Sequence, residues 1–313
     1  MVTVGDYSIV IPTLNRLAPL IETLDSINFQ TLLPDYLIIV DQSDNSDIRD
    51  WINKTKYNFK IKYIYQENKS SCEARNRGSK EVKTKYISFL DDDVELESRY
   101  YEILLGHLEN NDSVVGTTGF IKSKKSNIIF WFIMQFYKSI FLLSDFTNTS
   151  KVYWAFGGTY PRTPPKTIIY VQNILGNNSL WRTVIFKKYL FDENLTRYCF
   201  KEDTDLAYRI YKSHPKGLTL NANAKLYHKK VNLARIDNRQ RIVMKYDYFT
   251  YIYFKNFKNS FLNRAIYRWQ LLGEIIGLFF TGKLTWFRFK VIIKYLFGRY
   301  AKGYSLKNEW VNY

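Results

Sequence analysis

Cysteine is nearly absent: Cys72 and Cys199 are the only two among 313 residues. Two thiols exclude a disulfide scaffold and a zinc-finger framework, and they suit a reducing compartment. Long apolar runs are missing as well. A membrane-spanning helix needs about 18 or more clean apolar residues. The nearest approaches, Ile128–Leu143 and Leu271–Phe280, are interrupted by Gln135 and Lys138 and by Glu274. The start, Met1-Val-Thr-Val-Gly-Asp6, has no basic region before its first apolar stretch, so no secretory signal is expected and a cytoplasmic location is. Acidic residues are under-represented, 29 Asp/Glu against 46 Lys/Arg. The resulting charge of +17 points to an anionic partner: nucleic acid, an acidic membrane or a phosphorylated small molecule.

The chain is long enough for one large domain or two smaller ones, and its 46% hydrophobic and 24% charged residues exclude a disordered chain. Apolar runs at Tyr7–Ile11, Tyr36–Val40, Ile61–Tyr65 and Tyr86–Leu90 read as buried strands, the first stopped by Pro12. Between them lie helix patterns. Leu17, Leu20, Ile21, Leu24 and Ile27 recur at helical spacing, and Ser71–Lys83 and Glu97–Leu108 form further segments. This alternation predicts an α/β fold with a mainly parallel central sheet flanked by helices, its ligands beyond the carboxyl ends of the strands. Asp41 and Asp91 stand at two such ends. Residues 120–175 read as irregular, Ile168–Val171 restores order, Glu202–Lys212 is a helix pattern, and Leu226–His228 ends another strand. From Arg235 the composition shifts: the last 79 residues carry +11 of the net charge and 21 of the 55 aromatics. The expected division is a catalytic domain at 1–234 and a helical, basic and aromatic segment at 235–313. Within the latter, Ile266–Phe280 and Leu284–Phe297 read as amphipathic helices.

Asp91-Asp92-Asp93, with Glu95 behind, is the sharpest chemical feature. Three adjacent carboxylates repel one another and call for a cation, and hard oxygen ligands suit Mg²⁺ or Mn²⁺; a solvated acidic turn is the bland alternative. Glu202-Asp203-Thr204-Asp205 sits at a helix start, where a carboxylate suits the dipole or serves as general base. Ser71-Cys-Glu-Ala-Arg75-Asn76-Arg77-Gly78 offers an arginine for a diphosphate, with Arg77 the better candidate for a plain surface residue. His228 closes a strand and can ligate a metal or phosphate.

In order along the chain stand Ser8-Ile-Val-Ile-Pro12-Thr-Leu14-Asn15-Arg16, Ile-Val-Asp41, Ala74-Arg75-Asn76-Arg77-Gly78, Phe89-Leu-Asp91-Asp92-Asp93, Gly176-Asn177-Asn178-Ser-Leu-Trp-Arg182 and Glu202-Asp203-Thr-Asp205-Leu. This series closely resembles the family 2 inverting glycosyltransferases of the glycosyltransferase-A fold, over about residues 6–230. The basic, aromatic C-terminal segment resembles, more loosely, that of bacterial members that build surface polysaccharides. The resemblance implies a nucleotide-diphosphate sugar donor, UDP or dTDP foremost, a divalent cation (Mn²⁺ or Mg²⁺), and a hydroxyl acceptor on a glycan or lipid-linked glycan. It implies that Pro12, Leu14 and Asp41 line the nucleoside pocket, with Asn15 and Arg16 at its edge. Gln42 stands where many members carry a second acid. Arg75 would face the donor phosphates, Asp92 the ribose or sugar, and Asp93 the metal, with Asp91 sharing either task. Asp203 matches the catalytic base, Glu202 stands beside it in the acceptor site, and Gly176-Asn177-Asn178 form the loop beneath sugar and acceptor. His228 is a further metal or phosphate contact, and Trp154 is a candidate acceptor wall.

The chemistry is coherent on its own terms. A diphosphate leaves once its charge is offset, an acceptor hydroxyl attacks once a base takes its proton, and one direct displacement inverts the anomeric carbon. A sugar nucleotidyltransferase would want a glycine-rich loop after the first strand, and Pro12-Thr-Leu-Asn-Arg16 has no glycine. The charge and aromatics also fit a non-catalytic nucleic-acid- or partner-binding protein. The tail fits a peripheral role at an anionic membrane, or packing within the protein or between copies. Membrane association is the expectation, with no nucleic-acid partner; oligomeric state is not legible.

Overall fold

The computed structural model describes residues 3–122, 128–144, 151–152, 161, 163–229, 237–298, 300 and 304–312. Trp154 lies outside the described residues. The chain divides into two units, one of Met1–Ser123 with Arg162–Arg235, the other of Lys124–Pro161 with Ile236–Tyr313.

The first unit opens with β1 (Thr3–Thr13), α1 (Leu17–Asn28), β2 (Leu32–Asp41), α2 (Asp47–Lys54), β3 (Lys60–Tyr65), α3 (Ser71–Lys80) and β4 (Tyr86–Leu90). It continues with β5 (Val94–Leu96), α4 (Tyr100–Glu109), β6 (Gly116–Lys122), β7 (Ile169–Tyr170), β8 (Asn178–Arg182), α6 (Glu202–Ser213) and β9 (Leu218–His228), while α5 (Ile128–Ile140) belongs to the other unit. The sheet order is β3-β2-β1-β4-β8-β6-β9-β5, with β7 on β9. β3, β2, β1 and β4 are parallel, and α1, α2 and α3 supply the crossovers that parallel neighbours need. Beyond β4 the sheet is mixed: β8 runs antiparallel to β4 and β6, while β6 and β9 run parallel. Sequence periodicity found the parallel half because its strands are long apolar runs. β6 and β8 escaped it because they are threonine-, serine- and asparagine-rich, yet just as buried.

Pro12 does not end β1, which pairs with β2 as far as Thr13↔Asp41. The Thr13 carbonyl accepts from the Gln42 N–H on the β2 side, so alternation turns position 12 toward β4. There the ladder has already stopped at Val10↔Phe89, and the missing proline N–H leaves no bond unmade. The core joins Tyr7, Ile9 and Ile11 of β1 and Leu37 and Ile39 of β2 to Leu20, Leu24 and Ile27 of α1. Cys72 and Cys199 are buried thiols.

The second unit holds α5 (Ile128–Ile140), α7 (Asn238–Asn256), α8 (Phe261–Phe280) and α9 (Trp286–Leu296). Asp237, Ser260 and Thr285 cap α7, α8 and α9 by accepting backbone N–H bonds from their first turns. α5 packs on α8. The Trp269 indole N–H donates to the Ile140 carbonyl (2.8 Å), the Gln270 amide to that of Leu142 (2.6 Å), and the Tyr137 hydroxyl to that of Gly273. A Cβ on Gly273 would lie 2.4 Å from that of Phe141, so glycine is what lets the two helices approach. Among the described residues no helix is long and apolar enough to cross a membrane.

Candidate active site

The C-terminal ends of the first unit's strands collect the charged residues. β4 ends at Leu90 opposite Asn178, which sets Asp91 beside Asn177; the Asp91 N–H donates to the Asn177 carbonyl (3.4 Å). β5 pairs with β9 in the register Val94↔His228, which sets His228 beside Asp93. The result is a triad: one ligand atom from each of Asp91, Asp93 and His228 lies within 4.8 Å of the others. His228 Nε2 is 2.9 Å from Asp93 Oδ1, and its Nδ1 is 3.1 Å from the Asn177 amide nitrogen. With Asn177 donating to Nδ1, the neutral ring carries its proton on Nε2 and gives it to Asp93. Two carboxylates and one imidazole are a hard, mainly oxygen donor set that fits Mg²⁺ or Mn²⁺. The Asn177 side-chain oxygen is buried and has no partner among the described residues. Turned over, that amide accepts from Nδ1–H and leaves Nε2 for a cation.

Arg16 crosses to the acidic cluster from the β1–α1 turn. Its guanidinium donates to Asp92 Oδ1 and to Asp93 Oδ2, both at 2.6 Å. Asn15, in the left-handed region at φ +54°, turns the chain so that Arg16 points inward. Asn15 itself bonds Ser43 and Asp44, with its N–H 2.8 Å from Ser43 Oγ. The Thr13 hydroxyl donates to the second Asp92 oxygen (2.8 Å). Pro12 and Leu14 on the same segment are half-buried.

The two acids diverge. Burial raises the Asp92 carboxyl to about 7, against the pull of Arg16 and Thr13. Asp93 is also buried, but His228 and Arg16 outweigh the burial and hold it at about 2. Asp93 is therefore ionised throughout the working range. For Asp92 the sign follows from linkage. An unfolded aspartate titrates near about 3.9, so between about 4 and 7 the folded state holds more protons and stability falls as pH rises. In EDTA, the melting temperature of wild type relative to Asp92→Asn is expected to drop from about pH 4.5 to 7.5. Parallel melting curves across that range would contradict the buried, raised carboxyl.

Arg75 reaches the site from α3. Ser70 caps this helix by accepting the Glu73 N–H, and its own N–H donates to Gln42 Oε1 (2.6 Å). Gln42 thus anchors the helix that presents Arg75. A Cβ on Gly78 would meet Val10 at 2.4 Å, so glycine lets α3 lie close on β1 and carries Arg75 inward. The buried guanidinium donates to Glu202 Oε1 (2.7 Å) and Asp91 Oδ1 (2.9 Å). Burial opposes its charge, but Glu202 and Asp91 hold it firmly protonated. Arg77 is exposed, and the Asn76 amide bonds the Phe191 backbone.

Glu202 and Asp203 open α6, after Lys201 in the left-handed region at φ +66°. Glu202 is tied to Arg75; burial, then neighbouring Asp203, raise its carboxyl against Arg75's pull. Asp203 accepts the Gly176 N–H (3.2 Å) on one oxygen and the Thr204 N–H (2.6 Å) on the other. Of the two acids Asp203 is the one held by backbone donors rather than by a guanidinium. Gly176 lies close, a Cβ there being 3.3 Å from that of Asp203.

Asp41 is fully buried at the end of β2, its oxygens accepting the Ser43 N–H and the Tyr63 hydroxyl, both at 2.9 Å. Arg16, Arg75, Asp91, Asp92, Asp93, Asn177, Glu202, Asp203 and His228 thus form one linked cluster. Asn178 stands apart, fully buried in β8 with its amide on Gly119 and Thr118. Sequence reasoning missed Thr13 and the placing of Asn177 behind His228. No local pattern signals either, because both contacts come from sheet register.

A sheet of this topology with acids, arginines and a helix-start carboxylate at its strand ends defines the glycosyltransferase-A fold. Residues 8–162 match the family model Glycosyl transferase family 2, and the chain belongs to that family. An uncharacterized glycosyltransferase of Rickettsia conorii is 27% identical over 188 residues, 60% of this chain and 28% of that protein. The poly(ribitol-phosphate) beta-N-acetylglucosaminyltransferase TarP of Staphylococcus aureus is 34% identical over 118 residues, 36% of each chain. The crystal structure of S. aureus TarS 1-349 in complex with UDP-GlcNAc shares the fold at a TM-score of 0.56 and 12% identity, covering 92% of this chain and 78% of that one. The chain spans only 16% to 36% of the length of the curated relatives it matches.

Proposed function

We propose that this protein is a divalent-cation-dependent, inverting glycosyltransferase that moves a sugar from a nucleotide-diphosphate donor to an acceptor hydroxyl. One observation carries the reading: Asp91, Asp93 and His228, two guanidiniums and a backbone-held Asp203 converge at the strand ends of a family 2 fold. Asp91, Asp93 and His228 would hold the cation, which offsets the charge of the leaving diphosphate. Arg16 and Arg75, each now paired with carboxylates, are the side chains that face the donor oxygens. Asp41, Pro12 and Leu14 line the nucleoside end. Asp203 takes the proton of the acceptor hydroxyl as it attacks the anomeric carbon from the face opposite the diphosphate. Glu202 fixes Arg75 and borders the acceptor.

UDP or dTDP is the proposed nucleotide, and a glycan or lipid-linked glycan of a bacterial surface polysaccharide the acceptor. Support for both comes from relatives: TarP's name specifies a poly(ribitol-phosphate) acceptor, and the TarS complex holds UDP-GlcNAc. We place the enzyme peripherally at the inner face of the membrane, on the strength of the basic, aromatic second unit. The test is the anomeric outcome. Incubated with an α-linked nucleotide sugar, Mn²⁺ and an acceptor glycan, the enzyme is expected to give a β-linked product as the first species seen by proton NMR. An α-linked first product would refute inversion by Asp203.

A further inference from the structure

The second unit carries an exposed apolar surface that neither its own described helices nor the proposed chemistry uses. On α5, Phe132, Ile133 and Ile140 expose 55%, 60% and 48% of their surface. Positions 133 and 140 are two turns apart and share a face. On α8, Leu272, Ile276, Phe279 and Phe280 recur at helical spacing, and the last two are 68% and 79% exposed. The two stripes meet where the Trp269 indole donates to the Ile140 carbonyl and stacks on Phe141, ring centroids 4.9 Å apart. Apolar patches of this extent on a water-soluble surface mark an interaction site.

Charge selects the occupant. The second unit, residues 124–161 and 236–313, has 18 Lys/Arg against 5 Asp/Glu, so it holds +13 of the chain's +17. Exposed Lys283 follows Phe280 by three residues, and exposed Lys290 lies 5.1 Å over the Trp286 ring. A second copy of the same surface would bring like charges together. An anionic bilayer offers headgroups for the lysines and acyl chains for the rings. α5, at 13 residues, is about 20 Å long and cannot cross a core of about 30 Å, so it lies in the plane of the interface.

We infer that the α5–α8 face is an interfacial docking surface for an anionic phospholipid bilayer, into which Phe132, Ile133, Phe279 and Phe280 insert. This rests on the reading of the protein as a peripheral membrane enzyme, and it shifts the contact: α5 lies outside the C-terminal segment that composition singled out.

The test is sedimentation of the full-length protein with phosphatidylcholine vesicles, plain or with about one-third phosphatidylglycerol, beside the variant Phe132→Glu/Phe280→Glu. Both substitutions fall on exposed positions, and an unchanged melting temperature and unchanged nucleotide-sugar shift verify the fold. Wild type is expected to bind anionic vesicles, to bind plain ones weakly, and to release at about 0.5 M salt. The variant is expected to bind at least about tenfold more weakly, a loss of about 1.4 kcal/mol. A variant that binds as well as wild type overturns this surface and leaves the membrane reading standing. Wild type that ignores every vesicle overturns both. If wild type also self-associates, and the variant is monomeric, a second copy covers the face instead.

Discussion

Asp203→Asn is expected to lower sugar transfer about a thousandfold while leaving donor affinity within about threefold. The asymmetry follows from where Asp203 stands. Its oxygens accept from the Gly176 and Thr204 backbones, whereas Arg16 and Arg75, which we propose meet the donor phosphates, bond Asp93 and Asp91 instead. Asparagine keeps the shape and one accepting oxygen, which holds the Thr204 N–H and the start of α6, while its NH2 replaces the oxygen that accepts the longer bond from Gly176. What it loses is the capacity to take a proton while the hydroxyl attacks. Glu202→Gln should behave differently, because Glu202 touches Arg75 at 2.7 Å. Its loss is expected to disturb Arg75 and to appear mainly in KM for the donor. Transfer by Asp203→Asn within tenfold of wild type would remove Asp203 from the role of base.

The second large effect is on Asp93, the residue where three interactions converge. It accepts from Arg16 and His228 and belongs to the triad with Asp91. Asp93→Ala is expected to weaken cation-dependent nucleotide-sugar binding by about a hundredfold or more, and to leave little dependence on Mn²⁺. Truncation also takes one of its two acids from Arg16 and the facing carboxylate from His228, and breaking a buried pair costs about 3–5 kcal/mol. Asp93→Asn therefore serves as companion, retaining volume and accepting hydrogen bonds while removing the charge. If either variant, shown to be folded, bound donor with unchanged metal dependence, the cation would have to be held elsewhere.

The parts of this site that the sequence exposed are those a local pattern can carry. β4 is a run of buried apolar residues that ends in acids, and α6 begins where acids favour a helix start. The parts it hid depend on register. His228 meets Asp93 only because β5 pairs with β9 at Val94↔His228, and Arg16 meets Asp92 only because Asn15 adopts a left-handed turn. Gln42 reads as a departure from an acidic position; in the fold it holds the Ser70 N–H and with it the helix of Arg75. α7 was obscured for another reason. Its aromatic residues are buried on more than one face, with Tyr246, Tyr248, Phe249 and Tyr253 all inside, so no single stripe announces it. Pro12 misled because proline usually ends a central strand, and only the early end of the β1–β4 ladder makes it harmless.

The central claim, a nucleotide-sugar site built on the Asp91–Asp93–His228 triad, is tested most directly by thermal unfolding of the whole protein. Nucleotide sugars of UDP, dTDP, GDP and CMP are each added with Mn²⁺, Mg²⁺ or EDTA. A ligand of the folded state present at about 100 times its Kd raises stability by about 2.7 kcal/mol, which a melting curve resolves readily. The expected result is a stabilising shift with UDP- or dTDP-sugars that appears with the cation, vanishes in EDTA and is lost in Asp93→Ala. A shift that is indifferent to EDTA, or no shift with any nucleotide, would contradict it.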